Sequence, residues 1–444
     1  MIQAPAIAGD RVRVSAPGPL RGELRVPGDK SISHRSALLN AIADGVGRVR
    51  HYSPGGDCRS TLDCLRGLGA AVRAEPEEGG GLHLEIRGRG LQGLAEPDRI
   101  LDAGNSGTTA RLLSGLLAGQ EFVSILDGDA SLRGRPMLRI VAPLRSMGAN
   151  ILGRQGGDHL PLAISGGHLS GREHRLTVAS AQVKSALLLA GLYADGPTTV
   201  VECGPTRDHT ERMLRAQGAR LEQDGLAVTV WPASGGLAPL ELVVPGDTSS
   251  AAYWITLACL HPDARVTVRG VGLNPNRTGL FEVLRSMGAG IRTENMRLEG
   301  GEPVGDLTAE SSRLRATEVG GELIPRLVDE VPLLAVAALF ADGKTRIRDA
   351  GELRVKESDR LATVARELVR LDGRVQELPD GLEINGGRRL QPSEVISHAD
   401  HRLAMCLAVA GMAAAGVTID GAAAADVSYP AFWVHARQVG ALVR

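Results

Sequence analysis

An α/β protein of two domains, each assembled from three copies of one structural unit, is the fold class the sequence predicts. Three observations predict it: a helix-ending signature that recurs six times, a Pro-Gly-Asp motif that recurs once, and a length of 444 residues, too long for one ordinary core.

The signature Leu-Arg-x-x-Gly-Ala occupies 65–70, 144–149, 214–219 and 284–289, each time after an amphipathic run and before a strand-like one. Glycine just past the last turn is the expected helix stop. Looser copies stand at 368–373 and 436–441. The marker glycines Gly69, Gly148, Gly218, Gly288, Gly373 and Gly440 are spaced by 79, 70, 70, 85 and 67 residues. Six divergent copies of one α/β unit are expected.

The Pro-Gly-Asp motif divides them. Leu-Arg-Val-Pro-Gly-Asp-Lys-Ser-Ile-Ser (24–33) is echoed by Leu-Val-Val-Pro-Gly-Asp-Thr-Ser-Ser-Ala (242–251), with three markers between the echoes and three after the second. If the first strand, ending near Val26, belongs with the C-terminal half, the domains are 1–27 plus 246–444 and 28–245. A cleft between two such domains is a natural ligand site, and helix starts just after each Pro-Gly would aim partial positive charge toward it.

Further along the chain, 101–111 puts small polar residues and glycines before a leucine-rich helix, a start suited to an anion or to an ordinary N-cap. Residues 331–341 read as an apolar helix, 344 as part of a hairpin turn (Asp-Gly-Lys), and 403–419 as a buried helix followed by a strand, too short and glycine-interrupted to span a bilayer. Gly88–Gly93 matches G-x-G-x-x-G but lacks the βαβ context of a dinucleotide site, and His398-Ala-Asp-His401 lacks a third metal ligand at a recognised spacing.

Composition narrows the function. A formal charge of −1 and eleven aromatic residues argue against nucleic acid. Five cysteines without a Cys-x-x-Cys pair signal neither a disulfide framework nor zinc, and the N-terminal segment lacks the charged and apolar regions of a signal peptide. A cytoplasmic protein acting on small molecules is expected.

Only four of the fifty cationic residues are lysine: Lys30, Lys184, Lys344 and Lys356. Arginine holds its proton at physiological pH, whereas lysine can bind a phosphate and also exchange a proton. Lys30, Lys184 and Lys356 lie in polar motif-like segments. Arg35, Arg135, Arg207, Arg360 and Arg402 recur beside such segments, and guanidinium forks in that number suit ligands with several acidic groups. Asp329, before the 331–341 helix, and Glu357, beside Lys356, read either as helix N-terminal charges or as proton carriers in a closed, water-poor cleft.

Taken together, Pro-Gly-Asp-Lys-Ser-Ile-Ser-His-Arg, Gly-Asn-Ser-Gly-Thr, Arg-Pro-Met, Ser-Ala-Gln-Val-Lys-Ser-Ala, Thr-Arg-Asp-His-Thr, Asp-Glu-Val-Pro, Arg-Val-Lys-Glu-Ser-Asp-Arg and Asp-His-Arg-Leu-Ala-Met make the chain resemble the 5-enolpyruvylshikimate-3-phosphate synthases over essentially its whole length. The resemblance implies a two-domain inside-out α/β barrel with three βαβαββ units per domain. It also implies transfer of the enolpyruvyl group of phosphoenolpyruvate to the 5-hydroxyl of shikimate 3-phosphate, on the way to chorismate and the aromatic amino acids. Carried over residue by residue, Lys30, Ser31, Arg35, Ser180, Ala181, Gln182, Arg207, Asp329 and Lys356 would hold shikimate 3-phosphate. Lys30, Asn105, Gly107, Arg135, Gln182, Arg360 and Arg402 would hold phosphoenolpyruvate. Asp329, Glu357 and Lys30 would move protons. The implied chemistry needs no cofactor and no metal, and domain closure around the substrates predicts an open form that closes on them. A monomer is expected because the cleft can be built within one chain.

Where some members carry Ser-Ser-Gln this chain has Ser180-Ala181-Gln182, and where they carry a lysine near the C-terminus it has Val427. Gly107 stands where herbicide-tolerant members carry alanine, which favours glyphosate sensitivity. Two rival readings remain at this point. The UDP-N-acetylglucosamine enolpyruvyl transferases share the fold but usually have a loop cysteine and a Lys-Asn pair; here 128–136 has no cysteine and Lys30 precedes Ser31. A non-catalytic module that senses phosphorylated metabolites would use the same cations.

Overall fold

The computed structural model describes residues 10–77, 80–387 and 389–444. The opening segment read above for a signal sequence lies outside the described residues over 1–9. The chain forms two compact units. One comprises residues up to Pro27, Pro245–Leu298 and Pro303–Arg444; the other comprises Gly28–Val244 and Glu299–Glu302. The return of four residues at 299–302 had no sequence signal.

Among the described residues each unit contains three four-stranded sheets. In the 28–244 unit they run, in strand order, Glu241–Val243, Asp44–Tyr52, Leu82–Arg89, Ala71–Pro76; then Leu101–Asp102, Val123–Asp127, His159–Ser165, Asn150–Arg154; then Glu173–Arg175, Thr198–Val201, Ala227–Val230, Leu221–Asp224. In all three the first pair is parallel and the other two pairs are antiparallel. The other unit has sheets built around Ala264–Gly272, Lys344–Ile347 and Val417–Asp420, each paired in parallel with an edge strand, respectively Leu20–Leu24, Glu318–Val319 and Ser393–Ile396. Among the described residues no sheet closes on itself. The expected barrel is therefore corrected to open sheets: four strands leave two edges, whereas closure takes about eight.

Each unit also holds three helices that are buried almost all round: Lys30–Ala41, Gly107–Leu117 and Ala181–Gly191 in one, Thr248–Leu260, Val331–Phe340 and His401–Ala413 in the other. Most of these helices are apolar on nearly every side, as core helices are, while the buried polar residues of Lys30–Ala41, among them His34, Arg35 and Asn40, are hydrogen-bonded to neighbouring elements. Gly115 shows how closely these helices approach, since a Cβ there would meet the Ala186 carbonyl oxygen at 2.2 Å. No helix of the described residues is long and apolar enough to cross a membrane.

The helix-ending signature has one local geometry at all six positions. In the first, the Ala70 amide donates to the Leu65 carbonyl at 3.0 Å and the Gly69 amide to that of Arg66 at 3.0 Å, with Gly69 left-handed at φ 77°. This is the Schellman motif. Gly148, Gly218, Gly288 and Gly440 repeat it with φ from 84° to 115°. At the fifth position Asp372, not Gly373, takes the left-handed conformation (φ 65°). Gly373 is required instead because a Cβ would meet the Leu368 carbonyl oxygen at 2.6 Å.

The Pro-Gly-Asp echo is equally local. Asp29 (φ −54°, ψ 123°) accepts from the Ile32 amide, and Asp247 (φ −63°, ψ 123°) from the Ser250 amide. Lys344, expected in a hairpin, instead opens a strand after the Val331–Phe340 helix, with Gly343 at φ 104° making the helix-to-strand turn.

Candidate functional site

In the 28–244 unit the polar segments stand at the starts of the three buried helices. Asp29, Ser106 and Ser180 cap them by accepting from the amides of Ile32 (2.9 Å), Thr109 (3.1 Å) and Val183 (3.4 Å). The first helical residues are therefore Lys30, Gly107 and Ala181. Amide-rich, dipole-positive starts favour anions.

Lys30 Nζ donates to Asp57 Oδ2 at 2.9 Å. One turn on, the buried Arg35 donates from Nε to Thr210 Oγ1 (2.7 Å), from Nη1 to the Ser31 carbonyl (3.1 Å) and from Nη2 to Ser185 Oγ (2.7 Å). Burial pushes its pKa down to about 10, which leaves it cationic at neutral pH. Arg207 Nη1 donates to Ser31 Oγ at 3.4 Å, so Ser31 and Arg207 adjoin.

A second cluster forms around Gly107. Arg135 Nη2 donates to Asn105 Oδ1 at 2.5 Å and to Ser131 Oγ at 3.2 Å, while Asn105 Nδ2 donates to Asp129 Oδ2 at 2.7 Å. Gln182 Nε2 donates to Thr108 Oγ1 at 2.9 Å, and its Oε1 accepts from Arg111. Glycine at 107 leaves room for guanidinium groups: a Cβ would sit 2.7 Å from Arg111 Nη1 and 3.4 Å from Arg135 Nη1.

The other unit gathers charge around Asp329, in the 3-10 turn Val328–Glu330 that leads into the apolar helix. Its carboxylate has Lys356 Nζ at 4.0 Å, Arg360 Nη1 at 3.6 Å and Arg402 Nη2 at 3.6 Å. Arg360 also reaches Glu357 Oε2 at 2.6 Å and is held by Asp400 through Nε (2.7 Å) and Nη2 (3.2 Å). Arg402 Nη1 donates to the Asp329 carbonyl at 3.3 Å. Loss of surrounding water pushes the Lys356 ammonium below the usual lysine range, with Asp329 opposing the shift. Burial would push the Asp400 carboxyl up, but Arg360 and His401 outweigh it and hold Asp400 below the usual carboxylate range.

Asp400 is placed by a turn in which His398 and Ala399 are both left-handed, at φ 53° and 55°. A β-carbon pays steric strain there, so the turn is held by its surroundings. His398 Nε2 lies 2.8 Å from Glu367 Oε1.

The sequence grouped Lys30 with Glu357 as proton carriers. The two belong to different units, and each is paired within its own, Lys30 with Asp57 and Glu357 with Arg360. Sequence reasoning missed Asp57, Arg111 and Asp400. Asp400 had a usable signal, since it precedes Arg402 in Asp-His-Arg at a helix start, and Arg111 had one as the last residue of the 101–111 segment; Asp57 pairs with Lys30 across 27 residues and had none.

The model of the family described as EPSP synthase (3-phosphoshikimate 1-carboxyvinyltransferase) matches residues 14–435. The chain belongs to this family. A 3-phosphoshikimate 1-carboxyvinyltransferase from Herpetosiphon aurantiacus is 52% identical over 95% of this chain and 97% of its own length. One from Chloroflexus aurantiacus is 54% identical over 95% and 97%. The solved EPSP synthase from Acinetobacter baumannii superposes with a TM-score of 0.86, at 40% identity, over 98% of this chain and 100% of that one. Membership of the EPSP synthase family sets aside the UDP-N-acetylglucosamine branch as the first reading of these clusters.

Proposed function

We propose that the chain transfers the enolpyruvyl group of phosphoenolpyruvate to the 5-hydroxyl of shikimate 3-phosphate and releases phosphate, a step of the shikimate pathway to aromatic amino acids. The observation that carries the proposal is Asp329, a carboxylate within reach of three cations in a member of this family. A proton acceptor surrounded by anion-binding groups is what an addition and elimination between two acidic substrates needs.

In the addition, the 5-hydroxyl oxygen bonds to C2 of phosphoenolpyruvate, its proton passes to Asp329, and Glu357, with Lys30, gives a proton to the methylene C3. In the elimination, C3 returns a proton to Glu357, the C2–O bond to phosphate breaks, and the double bond re-forms. Lys30, Ser31, Arg35, Ser180, Ala181, Gln182, Arg207 and Lys356 hold shikimate 3-phosphate. Asn105, Gly107, Arg135, Gln182, Arg360 and Arg402 hold phosphoenolpyruvate. Its phosphate and carboxylate offset the positive charge beside Asp329, which favours proton transfer to that carboxylate. The scheme calls on no cofactor or metal.

We read the six sheets as six copies of a βαβαββ unit, three in each of two domains of an inside-out arrangement. The shared strand order and six matching helix ends support that reading. The protein is proposed to work as a cytoplasmic monomer.

Phosphate release from phosphoenolpyruvate, measured with shikimate 3-phosphate, with UDP-N-acetylglucosamine and without acceptor, tests the assignment. Release with shikimate 3-phosphate alone is expected; folded protein silent with every acceptor would leave a binding module instead.

A further inference from the structure

Lys184 is the one lysine of the motif segments that the proposed reaction leaves without a task. It lies in the helix Ala181–Gly191 and is 1% exposed. Its Nζ is 2.7 Å from Glu202 Oε2 and 2.6 Å from Glu211 Oε1. Glu202 follows the strand Thr198–Val201, and Glu211 belongs to the helix His209–Ala216. One ammonium thus ties both ends of the 203–208 connection, which carries Arg207.

The ties continue on either side. Thr206, next to Arg207, donates its hydroxyl proton to Glu202. Thr210, next to Glu211, accepts from Arg35 Nε at 2.7 Å and shares a 2.7 Å hydrogen bond with Ser185, the neighbour of Lys184. Ser185 in turn accepts from Arg35 Nη2 at 2.7 Å. Two buried cations, Lys184 and Arg35, therefore stand with two buried anions, Glu202 and Glu211, and every member touches the helix start or the connection that bears a proposed phosphate ligand. Burial raises the proton affinity of Glu202, and Lys184 opposes that shift.

A buried ion cluster is a poor source of stability, because well-packed apolar side chains of similar size do as well or better. What it supplies is registry between the elements it joins. We propose that Lys184 is a positioning residue that sets Arg35 and Arg207 for the phosphate of shikimate 3-phosphate. This rests on the substrate assignment made above. Lysine suits the task because a compact ammonium can serve two carboxylates from one point, where a planar guanidinium needs more room.

Lys184→Met keeps the stem and removes the charge. The expected result is a KM for shikimate 3-phosphate raised about tenfold, with kcat and the KM for phosphoenolpyruvate each within about twofold of wild type. Binding of shikimate, which lacks the phosphate, should change by less than about threefold by calorimetry. A lower melting temperature with an unmoved KM for shikimate 3-phosphate would assign Lys184 to stability alone, and a parallel loss in both KM values and kcat would indicate general loosening; either result overturns the proposal. Should Lys184→Met fail to fold, Glu202→Gln preserves size and leaves the Glu211 contact, and should still raise the same KM about threefold; no change there also overturns it. Wild-type protein that neither binds nor turns over shikimate 3-phosphate would sink the substrate assignment itself, and this proposal with it.

Discussion

Arg111 Nη1 donates to Gln182 Oε1 at 2.8 Å, and the bond ties the helix that starts at Gly107 to the helix that starts at Ala181. The same nitrogen would lie 2.7 Å from a Cβ at residue 107. Gly107→Ala is therefore expected to push the guanidinium away from Gln182 and disturb the proposed phosphoenolpyruvate ligands together. The KM for phosphoenolpyruvate should rise about tenfold, that for shikimate 3-phosphate should stay within about twofold, and inhibition by glyphosate should weaken. Steady-state kinetics at varied phosphoenolpyruvate would reveal an unmoved KM if Arg111 yields without cost.

Asp329 is the proposed base. Asp329→Asn keeps size and hydrogen-bonding capacity while removing the proton acceptor, so kcat should fall by about 10²–10⁴ with calorimetric binding of shikimate 3-phosphate largely retained. A variant with near-normal kcat would transfer the role to another carboxylate.

Asp400 and Arg360 form a buried bidentate pair, with Arg360 2% exposed. Asp400→Asn would remove one of the carboxylates around that guanidinium while Glu357 and Asp329 remain near it, so the stability loss, read from denaturant midpoints, should be about 1–3 kcal/mol. The KM for phosphoenolpyruvate should rise as well, since Arg360 would lose the bidentate contact that fixes its plane and keep only the Glu357 side. The native carboxyl titrates below its usual value, so its contribution is present above the unfolded value and fades as the solution is acidified through the folded one.

His34 offers a separate acid response. It is fully buried, its Nδ1 lies 2.6 Å from Thr61 Oγ1, and burial pushes its pKa down to about 3. The unfolded chain binds the proton first, near the ordinary value of 6.5. Stability should then decline as pH falls from that value toward the folded one, by about 3 kcal/mol near pH 4.5 from this group. His34→Gln should flatten that part of the slope in urea titrations; an unchanged slope would place the response elsewhere.

Features that depend on a few consecutive residues were legible in the sequence. The Leu-Arg-x-x-Gly-Ala helix ends and the Asp29 and Asp247 caps are closed by bonds spanning three to five residues, so their pattern carries the geometry. The site segments were legible for the same reason, being polar starts of apolar helices. Asp372 escaped notice because aspartate rather than glycine takes the left-handed position there. Lys344 was misread because Asp-Gly suits a helix-to-strand turn as well as a hairpin. Arg111, Asp57 and the partners of Lys184 are joined across distances that no local pattern encodes.

The strand Arg11–Ser15 pairs with Val417–Asp420 and with Leu442–Val443, and Arg13 exchanges backbone hydrogen bonds of 2.8 and 2.9 Å with Arg444. A segment made early in translation must therefore wait for partners made about 400 residues later. Most of the 28–244 unit, by contrast, has its partners within one continuous stretch. Synthesis from the N-terminus would let that inner stretch fold while the early strand is still single, an order in which the interrupted unit is completed only once its late strands have been made.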